Sequence, residues 1–535
     1  RREIVDLATG APLTLPAIAE PYRPGTLRRT LTVTAEPALL RLAAGLDYLR
    51  EYPFACTEQR VSHARAEIAA HRLHDLLLFE HTADRTEADY NATIAWIEGA
   101  IDGNDLVAYW PGTKGNVALT AWTVQFLTEA KAAGYAVNKA LSDRLVGALA
   151  RALRSDFPFF LAGESLAERV WALEALAEAG VVDDGYAAEL ARRSQLMSLE
   201  SQANVIETLS HSAQTDRAVI GTLTSELWSG IVFRLVNGQE AYGGLQTDRL
   251  RGHPLLLPSE ARTMARVIRA SAAAGDDPRR RLLVNALVAS AGPTGWGSTN
   301  ANAEAFLALT DFFATAAGGT GRGVSLVRGG EKREMTLDGG QPILRFTELH
   351  PEELAVMATG IGEPLGLLAD TRYLPEADGS TVAAQAEGFV VAEAIEKIAG
   401  GQPTAIDQPG RRLDFAVGDV VEQQLELVNP EERHQVAVVM PLAAGMEPLN
   451  PNLATAPPEA RPSQEPSLAP TYVAFLDDAV EYFYETLPKG TYRFAFRTRA
   501  TVPGRFIAPA AFAQMMYDDA VRGNGNGAEV VIERR

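Results

Sequence analysis

The chain of 535 residues contains one cysteine, Cys56, so no disulfide can form within it. A fold that depends on disulfides is therefore excluded, whereas an exported protein with large hydrophobic cores is not. No apolar run reaches the ~18 residues of a membrane-spanning helix, and the sequence starting at Arg1 has no signal-peptide pattern. Basic residues number 49 against 68 acidic ones, and the formal net charge of −19 argues against nucleic acid or an anionic membrane as a partner.

The composition is that of an ordinary globular protein, with 47% hydrophobic and 22% charged residues. The length predicts about three or four domains. We interpret the chain as the C-terminal part of a longer protein.

The cysteine lies in the stretch YPFACTEQ (residues 52–59), three positions before a glutamine. If a helix starts here, residues three apart share a face, and the Cys56 thiol can reach the side-chain carbonyl of Gln59. Loss of ammonia from that amide would leave an internal thioester, which acylates any amine or hydroxyl that reaches Gln59. Tyr52 and Phe54 would provide an apolar cover against water. The alternative is a small buried hydrophobic residue, because lone cysteines usually lie in cores.

From Glu36 to Ala317 the sequence is rich in alanine and leucine, and apolar residues recur every three to four positions. The pattern predicts about twelve helices, separated by short breaks at Gly, Asp or Pro. Such helices can pair into hairpins that stack as a ring, an α/α toroid, or as a superhelix. No internal repeat decides between the two arrangements.

Strands are predicted on both sides of this helical section. Residues 27–34 are β-branched and partly alternate, and residues 324–359 contain several short runs of strand character between Gly and Pro turns. The helices would then divide one β domain into two parts of the sequence.

A second β domain is expected from residue 386 to the C-terminus. Tyr492, Phe494 and Phe496 alternate with polar residues, which is typical of a half-buried strand. Six prolines between residues 451 and 470 predict an exposed, extended loop.

A Cys-x-Glu-Gln motif preceded by Tyr-Pro-aromatic resembles the thioester signature of the alpha-2-macroglobulin and complement family. The order of β region, helical section, β region and terminal β domain is similar to the C-terminal third of a bacterial alpha-2-macroglobulin. Further stretches that resemble this family are spread over the chain: Tyr109-Trp110-Pro111-Gly112, Leu119-Thr120-Ala121-Trp122, Ser259-Glu260-Ala261-Arg262-Thr263, Gly295-Trp296-Gly297-Ser298-Thr299, Gly445-Met446-Glu447-Pro448-Leu449-Asn450 and Met516-Tyr517-Asp518.

The resemblance implies a multidomain α plus β fold. A thioester domain built as an α/α toroid, residues 36–317, is expected to be inserted in a CUB-like β domain formed by residues 1–35 and 318–383. A macroglobulin-like, receptor-binding-like β-sandwich is expected at residues 384–535.

Members of the family trap proteases: a bait segment is cut, the molecule rearranges, and the exposed thioester acylates a lysine of the attacker. The resemblance therefore implies a broad-spectrum protease inhibitor that acts once by acyl transfer, is not an enzyme, and needs no cofactor or metal. Expected partners are target proteases and upstream macroglobulin domains that carry the bait, and the resemblance also suggests a cell-wall synthesis enzyme. Bacterial members imply a role in defence and a periplasmic location, with an N-terminal lipid anchor in the inner membrane.

Two further residues are candidates beside the thioester pair. Tyr517, in the stretch that resembles the family's terminal domain, is predicted either to shield the thioester or to pack inside its own β-sandwich. His63 lies one turn beyond the motif and could assist acyl transfer. His63 also shares a helical stripe with Glu67 and His71, with His74 nearby. A metal ion could bind there, but a solvated polar face is favoured.

Alternative functions come from two other classes. An α/α-toroid glycosidase needs two facing carboxylates, and the sequence singles out no such pair, because Asp183-Asp184 and Asp276-Asp277 fit helix caps and turns. A cysteine hydrolase needs a histidine and an Asn or Asp directed at the cysteine, and it would not need the glutamine. A binding module with a vestigial thioester is the third alternative.

Overall fold

The computed structural model describes residues 1–35, 37–71, 83–154, 160–161, 165–215, 217–236, 238–246, 259–275, 277–292, 295–313, 322–337, 343–360, 365–376, 379–398 and 400–534. These residues form two compact units, Arg1–Leu374 and Pro375–Arg535. Within this part of the chain, no helix has the length and apolar character that crossing a membrane requires.

Strands from both ends of the first unit form two four-stranded antiparallel sheets. The strands described in this unit are β1 Arg2–Leu7, β2 Leu13–Leu15, β3 Arg28–Thr34, β4 Ile231–Val236, β5 Gln239–Leu245, β6 Arg322–Arg328, β7 Glu331–Leu337, β8 Ile343–Glu348, β9 Leu354–Thr359 and β10 Leu365–Arg372. The sheets have the strand orders β1-β10-β3-β8 and β2-β9-β6-β7. Leu31, Val33, Val324, Val356 and Leu367 belong to one buried core that both sheets share. The strands predicted on both sides of the helical section are confirmed, and each sheet combines the two sides.

The long section between these strands is helical, as the apolar periodicity predicted. Its described residues contain twelve α-helices: α1 Pro37–Glu51, α2 Thr57–His71, α3 Ala83–Gly99, α4 Val117–Ala132, α5 Lys139–Ala152, α6 Ser165–Glu178, α7 Asp184–Ala191, α8 Leu199–Ser210, α9 Arg217–Ser229, α10 Glu260–Ala274, α11 Arg279–Ser290 and α12 Thr299–Phe313. Several of them start at a polar cap. The side chains of Asn116, Asn138, Asp183, Ser198 and Ser259 each accept a hydrogen bond from a backbone N–H of the first turn.

Alternate helices form a continuous series of contacts. α2 packs against α4, α4 against α6, α6 against α8, α8 against α10 and α10 against α12, and α12 in turn packs against α2. The remaining helices flank the series; α1 contacts α2 and α12, for example, and α9 contacts α8 and α10. Apolar side chains in the series, such as Phe126, Ala203, Val267 and Phe306, are buried from solvent because every helix of the series has two neighbours within it.

β4 and β5 pair as a hairpin inside the helical section, and the sequence pattern did not predict this element. Residues 231–236 are apolar apart from one arginine and include three β-branched side chains, which suits a strand. Gly238 lies in the turn with a φ of 80°, a conformation that favours glycine.

The second unit is built from strands, as the sequence predicted. Its described strands are β11 Gln385–Glu387, β12 Val390–Lys397, β13 Thr404–Ala405, β14 Arg411–Ala416, β15 Val420–Asn429, β16 Arg433–Pro441, β17 Met446–Leu449, β18 Tyr472–Phe475, β19 Ala479–Leu487, β20 Gly490–Ala500, β21 Gly504–Ala508, β22 Phe512–Met515, β23 Asp518–Asn524 and β24 Ala528–Glu533. They form sheets of the orders β11-β23-β22-β16-β19-β18, β13-β12-β15-β20-β17 and β14-β24-β21. The two larger sheets share one core, in which Val436 and Tyr482 of the first meet Phe494 and Phe496 of the second. The half-buried strand predicted from this alternation is therefore confirmed in β20.

The proline-rich segment 451–470 is a surface loop that is tied to the sheet beside it. It contains a short 3-10 helix, Pro458–Ala460, in which Ala460 is fully buried. The backbone N–H of Ser463 donates to the carboxylate of Glu422 at 2.7 Å. The segment is therefore less extended and less exposed than its prolines predicted.

Candidate functional site

Cys56 and Gln59 come together where α2 begins. Since Thr57 is the first residue of the helix, Cys56 is the residue before it and Gln59 is its third residue. The backbone N–H of Cys56 donates to Oε1 of Gln59 at 2.9 Å. This is the return contact of a capping box, in which the third helical side chain reaches back to the residue before the helix. Both residues are buried, with 0% and 3% of their surface exposed. The three-residue spacing thus brings the Gln59 side chain to the backbone of Cys56, and the approach of the thiol to the side-chain carbonyl stays a prediction.

The peptide bond before Cys56 also contacts a cation. Nε of Arg60 donates to the carbonyl oxygen of Ala55 at 2.8 Å. The Arg60 guanidinium lies over the ring of Trp96, 4.2 Å from its centroid. The Ala55–Cys56 peptide therefore accepts a hydrogen bond from an arginine on one side and donates one to Gln59 on the other.

The loop that contains Tyr109 and Trp110 holds the first residue of α2. The carbonyl oxygen of Tyr109 accepts from the N–H of Thr57 at 2.9 Å and from its hydroxyl at 3.0 Å. The hydroxyl of Thr57 in turn accepts from Nε1 of Trp96 at 2.9 Å, and Trp96 makes an edge contact with Trp110. The stretch that resembles the family's thioester domain at residue 109 therefore packs directly against the motif.

Glu58 connects the motif to the other end of the helical section. It is buried, and its two carboxylate oxygens accept from the hydroxyls of Ser62 and Thr299, the latter at 2.8 Å. Because Ser62 lies on α2 and Thr299 is the first residue of α12, this carboxylate joins the two helices. Glu58, the glutamate of the Cys-x-Glu-Gln motif, thus has a structural role in holding these two helices together.

The aromatic residues before the cysteine form a small cluster. Phe54 is buried and Tyr52 is partly buried, and their rings meet edge to face with centroids 6.0 Å apart. Tyr48 of α1 extends the cluster, 5.4 Å from the Tyr52 ring. The aromatic side chains before Cys56 therefore pack on one another, and the role of Tyr52 and Phe54 as a shield stays a prediction.

His63 contacts a carboxylate on its own helix, and its role in acyl transfer stays a prediction. Its Nε2 lies 3.3 Å from Oε1 of Glu67, and Glu67 accepts two hydrogen bonds from Arg50, at 2.5 and 3.1 Å. The arginine already supplies the positive charge that a metal would bring, so the contacts of Glu67 do not favour a metal site. Glu67 is also buried rather than solvated, which corrects the polar-face interpretation for this residue. The side chain of His71 and the whole of His74 lie outside the described residues.

Tyr517 lies in the second unit, in the turn between β22 and β23, and is half-buried. It is not among the residues of that unit's main core as far as the described chain shows. Its role as a shield stays a prediction.

The carboxylate pairs considered for a glycosidase lie at the starts of helices, where one side chain of each pair accepts a hydrogen bond from the backbone. Asp183 accepts from the N–H of Tyr186 at 2.9 Å, and Asp277 accepts from the backbone and the side chain of Arg279. The cap interpretation is confirmed for Asp183. Asp277 confirms the turn interpretation, because it accepts from the residue two positions on and the residue directly before α11 is Pro278. Asp276 lies outside the described part.

Sequence reasoning missed a buried network of charges among the alternate helices. Arg266 of α10 contacts Glu174 of α6 at 2.7 Å and Glu304 of α12 at 2.6 Å, and all three are almost fully buried. Burial disfavours the charge of Glu304, but Arg266, Arg65 and other arginines outweigh it and lower the pKa of Glu304 to about 2. Arginines at positions 262, 266 and 269 share one face of α10, and this spacing is the signal that could have revealed the network.

One family model matches the second unit. Residues 388–519 match the bacterial alpha-2-macroglobulin MG10 domain. No curated protein matches the chain in sequence.

Solved structures match the whole chain in fold. Salmonella alpha-2-macroglobulin reacted with methylamine has a TM-score of 0.77 at 19% identity, over 100% of this chain and 33% of that one. Native Escherichia coli alpha-2-macroglobulin from domain MG7 to the C-terminus has a TM-score of 0.75 at 18% identity, over 99% and 81%. The native E. coli protein solved by cryo-EM has a TM-score of 0.74 at 18% identity, over 99% and 33%. This chain thus spans about a third of the length of the longer relatives.

Proposed function

We propose that this chain is a region of a bacterial alpha-2-macroglobulin and forms the acylating part of a protease inhibitor. The MG10 match over residues 388–519 and the similarity in fold to solved alpha-2-macroglobulins support this proposal. The observation that carries the proposal is the buried contact between the Cys56 N–H and Oε1 of Gln59 at the start of α2. It holds the glutamine carbonyl against the residue that bears the thiol. The proposed reaction is a single acyl transfer to a lysine of an attacking protease, so the chain is not an enzyme in the sense of turnover.

The proposed architecture follows the contacts within the first unit. The series α2, α4, α6, α8, α10 and α12 returns to its start, which supports an α/α toroid over a superhelix. The two sheets formed by strands before and after the helices support a CUB-like domain that carries the toroid as an insertion. The second unit would be the macroglobulin-like domain of the family.

The chemistry requires two steps at Gln59. The Cys56 sulfur first attacks the side-chain carbonyl carbon, and ammonia leaves, so that a thioester remains. An amine later attacks the same carbon, and the electron pair of the carbonyl moves to Oε1, where the Cys56 N–H can stabilise it. The carbon–sulfur bond then breaks. The thiolate is stabilised at the N-terminus of α2 and takes up a proton, and the attacker is left in amide linkage to Gln59.

The thioester needs protection from water until it is used. Phe54 and Tyr52 pack edge to face on one another shortly before Cys56 in the chain, and we propose that they act as its shield together with Tyr517. We also propose that His63 assists acyl transfer, with its imidazole paired to Glu67.

The biological setting follows from the family alone. The Salmonella relative is described as reacted with methylamine, which fits an acylating group in that protein. We propose target proteases as partners, with the bait in macroglobulin domains of the full-length protein, and a cell-wall synthesis enzyme as a further partner. The proposed location is the periplasm, with the full-length protein held in the inner membrane as a lipoprotein.

Methylamine treatment tests the proposal. The freshly purified chain should lack the mass of one ammonia, and methylamine should release one thiol at Cys56 and label Gln59. Cys56→Ser should show neither the mass deficit nor the label. A reactive thiol together with an unmodified Gln59 in protein that was never exposed to amines would exclude the thioester. Substrate turnover that survives Gln59→Ala would instead favour a cysteine hydrolase.

A further inference from the structure

A short series of hydrogen bonds connects a cation to the carbonyl oxygen of Gln59. Nε of Arg60 donates to the carbonyl of Ala55 at 2.8 Å, and the N–H on the other side of that peptide bond, which belongs to Cys56, donates to Oε1 of Gln59 at 2.9 Å. Loss of ammonia removes the nitrogen of the Gln59 amide and keeps Oε1. The oxygen at the end of the series is therefore the carbonyl oxygen of the thioester.

Arg60 is fixed in this position by its other neighbours. Its guanidinium stacks on Trp96, 4.2 Å from the ring centroid. Trp96 is itself held by its hydrogen bond to the Thr57 hydroxyl and by its contact with Trp110. A long side chain that is held in this way loses little further freedom when it donates a hydrogen bond.

A hydrogen bond from a cation polarises the peptide group that accepts it. Electron density moves towards the carbonyl oxygen of Ala55, and the N–H of Cys56 becomes a stronger donor. The effect matters here because Cys56 and Gln59 are buried, where water screens it little. It matters most when a nucleophile attacks, since Oε1 then gains negative charge.

We propose that Arg60 is a positioning residue for acyl transfer, which strengthens the Cys56 N–H as the donor to the oxyanion on Gln59. The inference rests on the proposed thioester and adds a residue outside the Cys-x-Glu-Gln motif. In the step that Arg60 accelerates, the amine nitrogen bonds to the acyl carbon, the carbonyl electron pair moves to Oε1, and its return expels the Cys56 thiolate. The amine loses one proton, and the thiolate takes up one.

The test compares Arg60→Met, which keeps the aliphatic stem, and Arg60→Lys, which keeps the charge, with the parent. Arg279→Met is the matched control, because Arg279 also stacks on a tryptophan of the same unit, 4.8 Å from the Trp228 centroid. Two quantities are measured on protein with the mass deficit of one ammonia. They are the rate constant for methylamine attack, expressed per neutral amine across a range of pH, and the infrared carbonyl band of a thioester labelled with ¹³C at the glutamine side-chain carbonyl.

Arg60→Met should react about tenfold more slowly at every pH, a smaller loss than the roughly 10²–10³ for removing a direct oxyanion donor. Its carbonyl band should move to higher wavenumber, because the hydrogen bond to Oε1 is weaker. Arg60→Lys should recover most of both properties, and Arg279→Met should match the parent.

An Arg60→Met protein that forms the thioester, reacts at the parent rate and keeps the parent band would overturn this inference and leave the proposed function intact. If Arg60→Met accumulates no thioester, the Arg60→Lys variant tests whether the positive charge has the proposed role. A thioester with the parent band in the lysine variant supports the role of the charge, and a thioester with a shifted band, or none at all, refutes it. The absence of a mass deficit from the parent protein would instead refute the proposed function.

Discussion

Arg266 shows how much a single buried charge matters in the helical section. Its guanidinium is only 2% exposed, and it pairs with Glu174 and Glu304, which are 1% and 0% exposed. Removing one partner of a buried ion pair leaves the other charges uncompensated in a medium that solvates them poorly. The guanidinium is therefore needed to balance the buried carboxylate of Glu304, whose pKa of about 2 keeps it ionised.

We expect Arg266→Leu to lower the free energy of unfolding of the first unit by about 3–5 kcal/mol. Urea denaturation followed by tryptophan fluorescence measures the change, because all six tryptophans lie in this unit. Arg144→Leu is the control: Arg144 pairs with Asp105 at 2.6 Å on the surface, and such a pair contributes only about 0–1 kcal/mol. Equal effects of the two substitutions would show that the buried network is not what stabilises the unit.

The sequence predicted some of the site's contacts and missed others for a physical reason. The approach of Cys56 and Gln59 depends on a single helical turn, so the spacing alone indicated it. The pairing of Glu67 depends on Arg50, which lies on another helix, and no local pattern reveals such a contact. The contact of Arg60 with Ala55 is local as well, but it depends on the chain turning into α2 just before Cys56.

The facing stripes of α6, α8 and α10 are acidic on two helices and basic on the third. Glu178 on α6 lies 3.5 Å from Arg269 on α10, and Glu207 on α8 lies 3.8 Å from the same arginine. Burial raises the pKa of Glu178 to about 7, and Arg269 opposes the rise. Burial likewise raises the pKa of Glu174 well above its usual range. The carboxyl group of Glu178 is therefore partly protonated near neutral pH.

The raised pKa of Glu178 determines whether the free energy of unfolding rises or falls with pH. A carboxyl whose pKa is raised from 4.5 to about 7 by folding binds its proton more tightly in the folded state. Its contribution to stability is complete below 4.5 and is lost as the pH rises through about 7. The free energy of unfolding should fall over this window by at most about 1.4 kcal/mol per pH unit for one proton.

Glu178→Gln should reduce this dependence, because the amide cannot ionise. Glu98→Gln, on the exposed face of α3, is the control that should leave the profile unchanged. Denaturation series at intervals between pH 4.5 and 7 give the two slopes. A slope in Glu178→Gln as steep as that of the parent would assign the proton uptake to another group.

Prediction of the elements was easiest where one face is apolar, as in α5 with its period of 3.6 and β20 with its period of 2. α4 and α8 were also predicted as part of the helical section, although they are buried on almost every side. β10 was missed because Leu365–Asp370 are all buried, so its sequence does not alternate. The β4–β5 hairpin was missed because its strands are short and lie between helices whose periodicity dominates the surrounding sequence.

At the scale of the whole molecule, the division into two units lies after Leu374. The sequence placed the start of the last domain at residue 384. Between these points, residues 379–382 contact the second unit: Ser380 O accepts from the N–H of Gly410 at 2.6 Å, and Val382 O accepts from the N–H of Gly527 at 2.8 Å. The short segment before 384 therefore belongs structurally with the strands that follow it.

We expect a fragment of residues 375–535 to fold by itself with a single cooperative transition, since the core between its two larger sheets includes Phe389, Tyr482 and Phe494. A fragment of residues 384–535 keeps this core but loses the acceptors Val382 O and Ala383 O, which accept from the N–H of Gly527 and from Nδ2 of Asn524. It also loses Ser380 O, but the N–H of Gly410 keeps a second acceptor, Gly527 O at 3.0 Å. At about 1 kcal/mol for each hydrogen bond, the shorter fragment should be less stable by roughly 2 kcal/mol. Urea midpoints of the two fragments measure the difference, with far-UV circular dichroism to show that both are folded. Equal midpoints would place the domain boundary at residue 384, as the sequence predicted, and would show that residues 375–383 are a linker that adds no stability.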